Sequence, residues 1–275
     1  MSIPAEVVTE LARYGVWSYS RLQILNECPL RHHLKYVQKK KEAANAESLY
    51  GSAVHQILSE INVQNVPGAY DFATLLRSTA IKLALPRKLI EQVAKNKDKI
   101  DRAIQWTATI PGVKSREHKF AVDQNLQNCA FFGPAVFFRG VVDLLAVDFK
   151  KVTIVDYKTS PHSKEMITHY KPQLDIYAWI YKQILQDIEV QTGLYFFHEE
   201  LPEWITPEPD PTEFVVNLFR QAVNLADKTT PLPGSHCAYC GYKEEGCDAW
   251  GGNVAQRLEG PMGSAAAGGL AGNSE

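Results

Sequence analysis

The stretch Phe137–Ser160, FFRGVVDLLAVDFKKVTIVDYKTS, constrains this chain more than any other part of it. Ala135–Val147 and Lys151–Tyr157 are rich in β-branched and apolar residues, and only Asp148–Lys150 separates them, so they predict a β-hairpin. Side chains on a strand alternate between faces. Asp156 and Lys158 therefore point the same way, and the hairpin can bring Asp143 alongside Asp156. The run Val152, Thr153, Ile154, Val155 ahead of Asp156 reads as buried. A charge at the end of a buried strand is costly unless it is paired or metal-bound. Two carboxylates on neighbouring strands make a hard oxygen site suited to Mg²⁺ or Mn²⁺. A lysine beside them can orient or help deprotonate a water, or offset charge on a phosphate; phosphodiester cleavage needs such parts. On a solvated surface hairpin the same residues would have no such role.

The rest of the chain reads as helices first and strands later. Ser18–Val37 predicts a helix, with Ser20 and Gln23 in a capping box and a break or fresh start at Pro29 after Cys28. Ser48–Val63 predicts another, with Val54, Ile57, Leu58 and Ile61 at helical spacing. Tyr70–Ile110 predicts two or three helices split near Pro86. Glu117–Asp123 alternates like a strand, Lys164–Gln186 is an aromatic-rich helix, and Glu189–Phe197 is a further strand. Leu201–Pro211 holds four prolines and predicts a loop; Pro211–Asp227 is a last helix. From 251 to 275 the chain turns to Gly, Ala, Ser and Asn, which predicts a disordered tail. The expectation is an α/β fold: one domain over 1–250, with a helical region at 17–111, a small mixed β-sheet flanked by helices at about 112–200, and a C-terminal cysteine knuckle.

Other residues gain meaning from spacing. Gly51 and His55 lie four apart on one helix face, as do Gln173 and Tyr177 on the helix after Asp156–Lys158. A lone His is ordinarily a satisfied core residue, and a lone Gln and Tyr a polar edge and a core aromatic. Together, however, G-S-A-V-H (Gly51–His55), G-V-V-D (Gly140–Asp143), D-Y-K-T (Asp156–Thr159) and Q-L-D-I-Y (Gln173–Tyr177) resemble, in order and spacing, the RecB-like nucleases of the PD-(D/E)xK superfamily. The resemblance covers Trp17 to Cys247 and implies a restriction-endonuclease-like core. It implies His55, Asp143 and Asp156 as metal ligands, with the carbonyl of Tyr157 as a fourth, and Lys158 as the catalytic lysine. Gln173 and Tyr177 resemble the motif that supports the site and contacts DNA. Glu117 sits where some relatives carry an additional acidic residue.

Cys237 and Cys240 form a C-x-x-C, and Cys247 follows after six residues. Such a knuckle suits zinc or an iron–sulfur cluster, and both want four ligands. His236 is the candidate fourth for zinc, and Cys28 for a cluster. In RecB-like nucleases of the CRISPR-adaptation type and of helicase–nuclease subunits, one early cysteine in a C-P context and three late ones hold a 4Fe-4S cluster. The resemblance therefore implies Cys28, Cys237, Cys240 and Cys247 as its ligands here. Cys129 has no place in that pattern.

A formal net charge of -2 does not suggest a protein that coats nucleic acid nonspecifically. Arg31–Lys41 and Lys82–Arg102 are basic enough to grip DNA locally, or are solvated helix faces. The N-terminus does not read as a secretory signal and no apolar run is long enough for a bilayer, so a cytoplasmic location is expected. Five cysteines in a reducing compartment favour ligands or plain thiols over disulfides. The expected activity is a metal-dependent DNA nuclease, an exonuclease acting on DNA ends or single strands. The alternatives are a catalytically silent DNA-binding or scaffolding module of the same fold and a zinc-knuckle interaction protein. A silent relative should lack one of the acids or the lysine, and all three are present. No G-x-x-x-x-G-K-[ST] occurs, so a helicase or recombination partner is expected to be a separate chain.

Overall fold

A computed structural model of the chain describes residues 3–61, 70–243 and 247. Its centre is a five-stranded mixed sheet in sequence order: β1 (Val113–Val122), β2 (Phe138–Asp148), β3 (Lys151–Lys158), β4 (Glu189–Phe196) and β5 (Leu201–Ile205). Asp148 pairs with Lys151, so the predicted β2–β3 hairpin closes through Phe149 and Lys150 alone. Only β3 and β4 are parallel. A parallel pair needs a crossover, and α8 (Lys164–Leu185) supplies it.

Helices cover both faces. Beneath one face lie α1 (Ala5–Ala12), α2 (Tyr19–Glu27), α8 and α9 (Thr212–Leu225), packed on Val142, Val152, Ile154 and Leu194. Against the other lie α4 (Ala46–Glu60), α6 (Arg87–Lys95) and α7 (Lys97–Thr109), packed on Leu144, Val155, Tyr157 and Tyr195. The remaining described helices are the short α3 (Pro29–His32), which runs on into a π-helical turn over His33–Val37, α5 (Phe72–Lys82), and a 3-10 turn over Ser235–Tyr239. This is the restriction-endonuclease-like α/β arrangement. No described helix is long and apolar enough to cross a membrane.

The structure corrects the expected elements in three places. Ser18, not Ser20, caps α2, and its hydroxyl accepts from the Arg21 amide. The reason is that Trp17 is held like a strand residue against β2: its amide donates to the Phe137 carbonyl (2.8 Å) and its carbonyl accepts from Arg139 (3.0 Å). The helix can start only beyond that tether. Leu201–Pro211 is not all loop, because Leu201–Ile205 forms β5. Its Pro202 is tolerated on an edge strand, where no further ladder asks for an N–H. Strand β1 begins at Val113, earlier than Glu117. Tyr70–Ile110 resolves into three helices, and Pro86 precedes α6. The tail from 251 to 275 lies outside the described residues.

Candidate active site

The site grows from one irregularity in the sheet. Residues two apart on a strand normally share a face. Here His118 meets Tyr181 (ring centroids 6.4 Å apart) on the α8 side, while Arg116 donates to the Tyr157 hydroxyl (3.4 Å) on the other. On β2, Val142 belongs to the α8-side core and Leu144 to the α4-side core. Both strands change face at one level, between the pairs Arg116↔Leu144 and His118↔Val142. Glu117 and Asp143 occupy that level. Glu117 adopts φ 46, a left-handed conformation uncommon outside glycine, and leaves the ladder. Beyond Leu144↔Val155 the β2–β3 ladder also ends. The Tyr157 amide donates instead to Asp143 Oδ2 at 2.8 Å, so a side chain replaces the backbone acceptor.

Around this opening the sequence-predicted residues converge. His55, on α4, places Nδ1 3.2 Å from Asp143 Oδ1. Asp156 is buried near the end of β3; its Oδ1 accepts from Gln173 Nε2 (2.9 Å), and its Oδ2 forms an ion pair with Lys158 Nζ at 2.5 Å. Lys158 Nζ also reaches Gln173 Oε1 (3.4 Å) and sits 3.9 Å from the centre of the Tyr170 ring. Gln173 thus bridges the acid and the lysine. Tyr177, one turn further along α8, is buried edge-on against Phe120 at 5.0 Å. Both rings lie over Gly140, where an added Cβ would stand 2.5 Å from Phe120 and 3.0 Å from Tyr177. Gly51 lets α4 approach the chain after β3: a Cβ added there would stand 3.0 Å from the Thr159 hydroxyl.

His55, Glu117 and Asp143 each offer a ligand atom, all within 4.8 Å of one another. Asp156 is not in that group, since its oxygens face Gln173 and Lys158. Glu117, marked in the sequence only as an additional acid, is brought in by its left-handed backbone. For His55, burial opposes the charge, but Asp143 outweighs it and pushes the imidazole up to about 9. Burial would raise Asp143, yet His55, the Tyr157 amide and Lys158 hold it below the usual carboxylate range. Asp156 is pushed up by burial, against the pull of Lys158 and with further push from Asp143. Lys158 is raised: burial disfavours its charge, and Asp156 and Asp143 more than offset that. Burial and Asp143 also raise Glu117. Three carboxylates facing one lysine and one histidine fit a hard divalent cation, which oxygen and imidazole donors can hold.

A profile of the PD-(D/E)XK nuclease superfamily matches residues 16–245. The chain belongs to the PD-(D/E)XK nuclease superfamily. Within it, the chain is similar to an ATP-dependent helicase/nuclease subunit of Oceanobacillus iheyensis, 24% identical over 223 residues, covering 70% of this chain and 17% of that protein. It is also similar to the subunit of the same name from Ligilactobacillus salivarius, 29% identical over 117 residues, covering 42% of this chain and 9% of that protein. The chain therefore spans less than a fifth of the length of these relatives.

In this PD-(D/E)XK chain the cysteines form no disulfide. The knuckle around Cys237 and Cys240 is fastened to the N-terminal region: the Tyr242 hydroxyl donates to the Lys40 carbonyl (2.8 Å), and a Cβ on Gly241 would collide with the Ala43 carbonyl. Cys28 is buried, and Cys240 lies close enough to feel its charge and that of Arg31 and Glu42, although burial is the main cause of the raised Cys240 thiol. Of the basic stretches, Arg31 and Lys35 are tied up by Glu42 (2.7 and 2.8 Å), leaving Lys39, Lys40 and Lys41 exposed. In the second stretch Arg87 pairs with Glu91, Lys97 with Asp101 and Arg102 with Glu200, which suits a solvated helix face better than a DNA grip.

Proposed function

We propose that this chain is a metal-dependent DNA nuclease that hydrolyses phosphodiester bonds, working on DNA ends or single strands. The observation that carries this reading is the convergence of His55, Glu117, Asp143, Asp156 and Lys158 from α4 and three strands upon one opening in the sheet. His55, Glu117 and Asp143, with Asp156 and the Tyr157 carbonyl alongside, would hold Mg²⁺ or Mn²⁺. When bound, such an ion polarises a phosphoryl oxygen and makes a water acidic enough to attack near neutral pH. The chain's own contribution is orientation and charge. Lys158 keeps its proton firmly, so it suits pairing with a phosphate oxygen or steering the water better than taking a proton away. Gln173 fixes Lys158 and Asp156 relative to each other, and Tyr177 packs behind them on Gly140.

Two further readings belong with this one. Cys28, Cys237, Cys240 and Cys247 are proposed as ligands of a 4Fe-4S cluster that staples the chain's ends. Support comes from the resemblance in cysteine pattern and from Cys240 lying close enough to Cys28 for their charges to interact. The relatives are named helicase/nuclease subunits. A nuclease paired with a helicase meets unwound strands, so a helicase is the proposed partner. The test is digestion of end-labelled single- and double-stranded DNA, linear and circular, with Mg²⁺ or Mn²⁺. Loss of linear but not circular substrate is expected; no cleavage of any DNA would leave the silent-module reading.

A further inference from the structure

Between β1 and β2 the chain makes an excursion over residues 123–137 that the site does not use. Its start is fixed: Asp123 Oδ1 accepts from the amides of Asn125 (2.8 Å) and Gln127 (2.9 Å). The Cys129 amide then donates to the Ala121 carbonyl (3.0 Å), which lays this segment along the free edge of β1. A tight turn, with the Gly133 amide on the Ala130 carbonyl (2.7 Å), carries Phe131, half-buried, and Phe132, exposed. The two rings meet edge to face at 4.9 Å, and Phe132 is 80% exposed. Lys119 Nζ lies 5.7 and 5.8 Å from the two ring centres, and the Arg139 guanidinium lies 5.1 and 5.8 Å from them. Neither cation forms an ion pair among the described residues.

A half-buried and an exposed phenyl ring, flanked by two cations that form no ion pair among the described residues, have the composition of a nucleic-acid contact. The cations take phosphates, and the rings stack bases. The position fits as well. Arg139 precedes Asp143 by four residues on β2, about 13 Å along the strand, and Lys119 follows Glu117 by two on β1, about 7 Å. A strand with one phosphate at the site would cross this patch within its next few nucleotides.

We propose that Phe131, Phe132, Lys119 and Arg139 form a base-stacking platform that binds unpaired, single-stranded DNA beside the candidate active site. The proposal rests on the nuclease reading for what approaches the site, and it specifies the form of the substrate. In a duplex the bases already stack on one another, so it gains only the two phosphate contacts.

The test compares the full-length wild type with Phe131→Ala/Phe132→Ala, Phe132→Ala and Phe132→Trp. Fluorescence anisotropy in EDTA, where nothing is cut, uses labelled oligothymidylate, an abasic strand of equal length and a hairpin-closed duplex. Stacking is worth roughly 1–3 kcal/mol per base, so the double variant should lose about tenfold or more in affinity for oligothymidylate. Its binding of the abasic strand and the duplex should stay near wild type, and Phe132→Trp should keep oligothymidylate affinity. The exposed single variant Phe132→Ala serves if the double variant melts early. Unchanged oligothymidylate binding overturns the platform, as does an equal loss on the abasic strand, or a change of oligomeric state alone. Parallel digestion with Mg²⁺ separates the two readings. A wild type that cuts DNA while its double variant binds normally refutes only the platform. A wild type that binds through the rings yet never cuts refutes only the nuclease.

Discussion

His55 should make metal binding release a proton. Its imidazole is pushed up to about 9 by Asp143, from an ordinary 6.5. A cation must take the neutral nitrogen, so proton and metal compete. At pH 7, two units below that value, only about one molecule in a hundred presents neutral His55, and affinity for Mn²⁺ should lie about 100-fold, or about 2.7 kcal/mol, below its ceiling. Affinity should climb about tenfold per pH unit and level off above about pH 9. The metal-free fold responds in the opposite sense. Because the folded value exceeds the unfolded one, His55 contributes stability that is complete below about pH 6.5 and lost as pH rises through about 9. Titration calorimetry at pH 7 in two buffers of different ionisation enthalpy counts the protons: His55→Gln should release about one fewer per Mn²⁺ than wild type, any release from the raised Glu117 and Asp156 being common to both proteins. An equal proton count in both proteins would refute the reasoning, since His55 would then not be the competing site.

Three other outcomes are expected. Gln173→Leu removes the bridge between Asp156 and Lys158, so kcat should fall by about tenfold or more with DNA affinity largely kept; an unchanged kcat in single-turnover assays would remove Gln173 from the positioning role. Gly140→Ala forces a methyl group onto the Phe120 and Tyr177 rings and should cost about 1–3 kcal/mol, read as a lower denaturation midpoint; a wild-type midpoint would show that the rings yield freely. Cys28→Ser and Cys240→Ser should each lose iron and melt earlier, while Cys129→Ser, outside the knuckle, should do neither; full iron content in Cys28→Ser would leave the N-terminal region out of the cluster.

Much of this site can be read from alternation and helical spacing. The two-residue repeat of β3 puts Asp156 and Lys158 on one face, and the structure has them facing α8 together. The four-residue spacing of Gln173 and Tyr177 puts both on the face of α8 that meets β2 and β3. What alternation hides is its own failure. A left-handed Glu117 carries no signature in residue type, so the face change that draws Glu117 and Asp143 together appears only in three dimensions. Strand β5 was hidden by prolines, which forbid a central strand but not an edge. The helix start at Ser18 depended on Trp17 being tied to β2, a contact between residues far apart in sequence.

Asp143, Asp156 and Lys158 are proposed to cut DNA as one unit. This is tested most directly by single-turnover cleavage of end-labelled linear DNA with Mn²⁺, comparing wild type with Asp143→Asn, Asp156→Asn and Lys158→Ala, each first checked for an unchanged melting temperature and unchanged DNA binding. Wild type should cut, and each variant should fall by about 100-fold or more. A folded, DNA-binding variant that keeps more than about a tenth of wild-type activity would contradict this joint role.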